Sequence, residues 1–189
     1  VAAIHIKSAS GQTLLHEAAK GGSVDVVQRM LEYGLILDAR DNDNMTPLAA
    51  ACAERDGSDD MIRVLLDAGA DISVVDRWGY TPLHELANNS RTKAAKLILE
   101  TGKADLSLRT KGGFSVLEFA ALEGNYELVN CLLERCRPES VPGSDSTLHW
   151  AVRADKDDNL YAIVERLLEE GCDVNAKNDN GCTPLHSYL

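Results

Sequence analysis

A four-residue pattern recurs along the chain at nearly constant spacing, and this constrains the fold more than any other feature. Thr81-Pro82-Leu83-His84 is the fullest copy. Thr13-Leu14-Leu15-His16 and Thr46-Pro47-Leu48-Ala49 precede it. The weaker Ser115-Val116-Leu117-Glu118 and Ser146-Thr147-Leu148-His149 follow, and Thr183-Pro184-Leu185-His186 is the last. The intervals are 33, 35, 34, 31 and 37 residues. Such self-similarity marks a stacked array, in which one small unit is copied and each copy packs on its neighbours.

The residue types explain what each copy does. Thr or Ser supplies a side-chain oxygen for the exposed N–H groups of a helix start, and Pro suits the first helical position, where no N–H is needed. Small residues such as Ala18-Ala19 and Ala120-Ala121 then let neighbouring helices approach. A second apolar pattern follows; Val24, Val27, Met30 and Leu31 have helical spacing. Gly34, Gly69, Gly102 and Gly171 read as helix stops. Each unit is therefore expected to be helix, turn, helix, then an extended finger.

The fingers align as 7–11, 40–44, 75–79, 109–113 and 177–181. Their last position calls for positive φ and is Gly four times and Asn44 once. Their second position is Ser8, Asp41, Asp76, Thr110 or Asn178, each able to accept a bond from a nearby backbone N–H.

Six registered copies, several running on to endings such as "GADIS" (69–73) and "GCDVN" (171–175), resemble the ankyrin-repeat family across nearly the whole chain. The resemblance implies an all-α solenoid with short β-hairpin fingers, a curved stack of helix-turn-helix repeats. A single domain over 1–189 is expected, with repeats near 12–44, 45–79, 80–113, 114–144 and 145–181 and partial units at 1–11 and 182–189. The chain thus reads as part of a longer array, or as one whose outer repeats are cut. Terminal repeats normally carry polar caps, and Leu185, Tyr188 and Leu189 would be poor ones.

Composition narrows the function classes. The formal charge of −11 and pI of about 4.8 disfavour a general binder of nucleic acid or anionic membrane. No apolar run long enough to span a membrane and no signal-peptide pattern is present. The five cysteines, Cys52, Cys131, Cys136, Cys172 and Cys182, form no zinc-type spacing, and an odd number fits a reduced intracellular compartment, cytoplasmic or nuclear. Cys52 falls at a small-residue core position. No phosphate loop, nucleophile elbow or paired-carboxylate motif occurs, so no enzyme and no cofactor is expected. His16, His84, His149 and His186 all hold the fourth motif position, where the resemblance implies bonds joining neighbouring units. His5 lies in a finger and is expected to face solvent.

Three stretches depart from the repeat. Residues 53–60 and 153–159 carry acidic insertions that read as solvated loops. Residues 134–146 lack a finger turn, and Pro138 and Pro142 each remove a backbone donor. That stretch reads either as a notch with phosphorylatable Ser140 or Ser144, or as drift that the flanking helices tolerate.

The resemblance places partners on the finger tips and the concave face. The residue before each motif is Gln12, Met45, Tyr80, Phe114, Asp145 or Cys182. Met45, Trp78, Tyr80 and Phe114 are expected to form one apolar patch, and such clusters mark interaction sites. Phe119 and Trp150 follow the motif and serve either packing or contact. A basic row, Lys7, Arg40, Arg109 and Lys177, is broken only by Val75, with Arg77 and Lys111 at the tips. The candidate contact set is Arg40, Met45, Arg77, Trp78, Tyr80, Arg109, Lys111, Phe114 and Trp150. It favours a protein or peptide partner with an apolar anchor and nearby carboxylates or phosphate. The alternative for Trp78 is that it folds onto Tyr80 and Arg77 and stiffens the finger. No nucleic-acid binding or membrane insertion is expected, and oligomeric state stays open.

Two other function classes fit. The array is a regulatory or tethering segment of a larger enzyme, channel or immune receptor. Alternatively it is a substrate: Leu167, eight residues before Asn175, with Asp173 and Val174 between, is similar to the pattern read by an asparaginyl hydroxylase of ankyrin repeats. The other fingers carry His5, Asp38, Ser73 and Ser107 at that position.

Overall fold

The computed structural model describes residues 6–135, 144–154, 158–178 and 180–188. His5, Cys136, Pro138, Ser140 and Pro142 lie outside them, as does most of the irregular stretch 134–146. The elements are helices in pairs. They are α1 (Leu14–Gly21) and α2 (Val24–Glu32), α3 (Pro47–Ala53) and α4 (Asp59–Asp67), and α5 (Pro82–Asn88) and α6 (Thr92–Glu100). Then follow α7 (Val116–Leu122) and α8 (Tyr126–Arg135), α9 (Ser144–Ala151) and α10 (Asp158–Glu169), and finally α11 (Pro184–Tyr188).

The chain divides into two compact units, residues 1–104 and 105–189. In the first, α1 packs on α3 and α3 on α5, while α2 packs on α4 and α4 on α6. Leu15, Leu48, Met61, Ile62, Leu65, Leu86 and Ile98 are its fully buried large side chains. In the second, α7 packs on α9 and α9 on α11, and α8 packs on α10, around Leu128, Leu148, Ile163 and Leu167. Stacking like-numbered helices of successive pairs is what buries these apolar stripes, since no single pair has two sides to cover.

The helix starts follow from the motif. Thr46, Thr81 and Ser115 accept the N–H groups of Ala49, His84 and Glu118 at 3.2, 3.3 and 3.2 Å. The fourth residue reaches back: the N–H groups of Thr13 and Thr81 donate to His16 and His84 Nδ1 at 3.1 and 3.3 Å. Nδ1 of His16 thus accepts, so the proton sits on Nε2, which donates to the Met45 carbonyl at 3.0 Å in the next repeat. His149 Nε2 likewise meets the Cys182 carbonyl at 2.8 Å. The fifth copy departs from expectation. α9 begins at Ser144, so Ser146 lies inside the helix rather than at its cap, and its hydroxyl bonds Glu118 Oε1 instead.

The fingers are closed by their own side chains. Asp41 Oδ1 accepts the N–H groups of Asp43 and Met45, both at 2.9 Å; Asp76 Oδ1 accepts those of Trp78 and Tyr80, both at 2.8 Å. Ser8, Thr110 and Asn178 bond Gln12, Phe114 and Cys182 in the same way. Gly11, Asn44, Gly79, Gly113 and Gly181 all have positive φ, as the turn demands. The returning arms make isolated antiparallel bridges, Lys7 with Thr13 and Arg109 with Ser115; no longer ladder forms among the described residues.

The insertion at 53–60 is not simply solvated. Arg91, at the start of α6, is buried and sends its guanidinium under the loop. Nη1 donates to the carbonyls of Ala51 (2.8 Å) and Glu54 (3.1 Å), and Nη2 to the Gly57 carbonyl (2.8 Å) and Asp59 Oδ1 (2.9 Å). The loop wraps a cation that satisfies its inward carbonyls, which is why it has a fixed path.

Candidate functional site

In the first unit, Trp78 is 48% exposed on a tip whose backbone is pinned by Asp76. The Arg77 guanidinium lies 4.9 Å from its ring centroid, a cation–π contact. Arg77 is itself paired with Asp43 of the preceding finger at 2.7 Å, and its N–H donates to the Asp43 carbonyl at 2.8 Å. Trp78 is thus held on one side by Arg77 and open to solvent over about half its surface. Tyr80 is half-buried, edge-on to His84 with ring centroids 6.2 Å apart. Burial, then Glu85 and Asp76, hold its phenol above the usual range. Met45 is half-buried.

The basic row is partly committed within the protein. Arg40 is exposed but donates to Asn44 Oδ1 at 3.1 Å, and Lys7 Nζ donates to the Arg40 carbonyl at 2.8 Å. In the second unit Arg109 pairs at 2.9 Å with Glu118, whose side chain is only 2% exposed, and also bonds the Gly113 carbonyl. Lys111 is exposed.

The second unit also holds an aromatic group that the sequence shows only as scattered residues. Phe114 stacks on Phe119 at 5.0 Å and 20° and tilts against Trp150 at 4.6 Å and 45°. Arg153 covers the Trp150 ring at 5.2 Å. Phe119 is buried in this cluster, so it packs, while Phe114 and Trp150 each keep an open side. The signal was present: Phe119 and Trp150 occupy the same repeat position, and Phe114 precedes its motif. The expected patch of Met45, Trp78, Tyr80 and Phe114 takes its first three members from the first unit and its last from the second.

Sequence reasoning missed one acidic pair. Asp76 is 6% exposed, and its Oδ2 has no hydrogen-bond partner among the described residues. Nearby Glu85 is pushed up to about 7, first by burial and then by the Asp76 charge. Elsewhere Cys52 is fully buried, and burial raises its pKa far above the ordinary thiol range. Asn175 is exposed; its N–H donates to Asp173 Oδ1 at 2.8 Å, and its side-chain amide has no protein partner among the described residues. Among those residues no helix is long and apolar enough to cross a membrane.

Comparison with known proteins agrees with this geometry. A model of three ankyrin repeats matches residues 2–76 and 55–142, and a single-repeat model matches 145–179. The B-cell lymphoma 3 protein homolog of Mus musculus is 30% identical over 187 residues, covering 94% of this chain and 40% of its own length. The E3 ubiquitin-protein ligase KEG of Arabidopsis thaliana is 27% identical over 229 residues, covering 97% of this chain and 14% of its own length. The chain thus spans less than half of either relative. The crystal structure of the ankyrin repeat domain of Bcl-3, described as a unique member of the IkappaB protein family, matches with a TM-score of 0.78 at 28% identity, covering 97% of this chain and 81% of that one.

Proposed function

The chain belongs to the ankyrin-repeat family, and we propose that it binds a partner protein or peptide along its finger edge, with Trp78 as the anchor. Ankyrin repeats are in general protein–protein interaction modules without catalysis of their own. The observation that carries the reading is the state of Trp78: half exposed, on a tip already fixed by Asp76 and by the Arg77–Asp43 pair. A rigid exposed indole loses little entropy on binding, which is the property of an interface anchor. Met45 and Tyr80 flank it in sequence, and Arg40 and Arg77 supply positive charge in the same unit. Arg109, Lys111, Phe114 and Trp150 offer a second, aromatic and basic contact set in the other unit. A partner with an apolar anchor and carboxylates or phosphate fits this chemistry. The odd number of cysteines without zinc-type spacing suits an intracellular setting.

The test is affinity capture from lysate of the source cell, comparing wild type with Trp78→Ala/Tyr80→Ala by quantitative mass spectrometry. Circular dichroism confirms that both are folded. A partner held by wild type and released by the variant supports the reading; equal capture contradicts it. If the array instead serves to regulate or tether a larger chain, as its likeness to part of a ligase allows, the capture yields no separate partner.

A second reading has its own observation. The exposed Asn175 amide, with no protein bond to hold it, is free to enter the active site of an asparaginyl hydroxylase. Co-expression with such an oxygenase then adds the mass of one oxygen to the peptide containing Asn175. An unchanged mass refutes it.

A further inference from the structure

The grooves behind successive finger turns repeat the same positions with different residues, and two of them lie in the first unit. In the first, Lys20 Nζ donates to Gln12 Oε1 at 2.8 Å and to Glu17 Oε1 at 3.2 Å. Gln12 Nε2 in turn donates to Asp41 Oδ2 at 3.3 Å. A lysine of the protein, and the amide it holds, thereby complete two acidic groups.

One repeat later Asp76 takes the place of Asp41, Met45 that of Gln12, and Ala53 that of Lys20. The finger acid is kept and both donors are gone. Asp76 Oδ1 is saturated by the N–H groups of Trp78 and Tyr80, while the buried Oδ2 has no partner among the described residues. Glu17's place in this groove is taken by Ala50; the second acid here, Glu85, comes instead from the following repeat, on α5, close enough to feel the Asp76 charge. Glu85 is half-buried and forms no ion pair among the described residues. Burial and Asp76 act on it with the same sign, holding it near 7. A buried carboxylate oxygen without a donor is costly, and two neighbouring acids without one call for a cationic N–H.

We propose that this second groove takes a lysine side chain from a bound protein, whose ammonium donates to Asp76 Oδ2 and Glu85. The first groove shows the chemistry at the finger acid: there the amide of Gln12, itself held by the Lys20 ammonium, donates to Asp41 Oδ2. Lysine is preferred to arginine on the pattern of Lys20, whose compact ammonium already serves the first groove. Met45, unbranched and half-buried, moves aside with little strain. The inference rests on the reading that the finger edge binds a protein, and it adds a basic residue beside the apolar anchor.

The test titrates the whole chain with n-butylammonium at pH 7.5 and constant ionic strength, with n-butanol as control, following the carboxyl carbons of Asp76 and Glu85 by NMR. Wild type is expected to show saturable shifts at both, with butylammonium alone. Met45→Gln restores the internal donor that Gln12 provides and is expected to bind at least about tenfold more weakly while staying folded. Met45→Gln/Ala53→Lys fills the groove with the protein's own lysine and should not respond. Absent shifts in wild type, equal shifts with butanol, or unchanged binding in Met45→Gln would overturn the proposal. Trp78→Ala is expected to titrate like wild type, so failure of the anchor reading and failure of the groove show up separately.

Discussion

The Arg91 guanidinium donates to the Ala51 carbonyl at 2.8 Å across forty residues of chain, and with it to Glu54, Gly57 and Asp59. One side chain thus fixes the insertion that links α3 to α4. Arg91→Ala leaves the buried Ala51 carbonyl and its neighbours without a donor. Urea unfolding should show a loss of roughly 3 kcal/mol. A loss below about 0.5 kcal/mol would mean the loop does not depend on Arg91.

Gly57 reports on the same contact. A Cβ built there would lie 2.8 Å from Arg91 Nη1 and 3.0 Å from the Ala51 carbonyl. Gly57→Ala is expected to cost about 1–2 kcal/mol. In an Arg91→Ala background the share of that cost due to the guanidinium should go while the share due to the Ala51 carbonyl stays, a coupling that a double-mutant cycle measures directly.

Asn44 and Ser90 are the two non-glycine residues with positive φ among those described, at 65° and 54°. Asn44 uses its side chain, donating to the Val75 carbonyl at 2.6 Å and accepting from Arg40 at 3.1 Å. Ser90 is exposed, with no side-chain bond of this kind. Ser90→Gly should therefore stabilise by about 0.5–1 kcal/mol, while Asn44→Gly should not. Thermal unfolding of the two variants separates strain from compensation.

Two titrating groups give stability a pH dependence of opposite sign. Glu85 rises from an unfolded 4.5 to about 7 in the fold, first through burial, so the folded chain holds its proton more tightly. Its favourable contribution is full below about 4.5 and is lost as pH rises through about 7. His16 lies below its unfolded 6.5, chiefly through burial, so its contribution is full above 6.5 and falls as pH drops. Between pH 5 and 7 the two oppose each other. Glu85→Gln should leave His16 unopposed, so that stability falls on acidification from pH 7 to 5 by about 2 kcal/mol more than in wild type. Urea midpoints at pH 5, 6 and 7 measure this, and an unchanged profile would contradict it.

What could be read from the sequence was local. Finger closure involves residues two to four apart, so Ser8, Asp41, Asp76, Thr110 and Asn178 declared their bonds through position alone. The helix caps at Thr46, Thr81 and Ser115 are local for the same reason. What stayed hidden was the pairing of groups one repeat apart. Nothing in the insertion says that Arg91 will sit beneath it. The basic row reads as free charge until Arg77 meets Asp43 and Arg109 meets Glu118. The bare oxygen of Asp76 emerges only when Met45 is set against Gln12 in register. At Ser146 a motif residue was read as a cap, but the upstream residues extend the helix past it.

The central claim is that the finger edge, anchored by Trp78, is the binding surface. The most direct measurement is calorimetric affinity for the partner that wild type captures, compared across Trp78→Ala and Tyr33→Ala. Tyr33 is 74% exposed at the end of α2, outside the candidate contact set, and serves as a control for mere exposure. The account predicts at least about tenfold weaker binding for Trp78→Ala and no more than about a twofold change for Tyr33→Ala. Equal affinities for wild type and Trp78→Ala, or a larger loss at Tyr33, would contradict it.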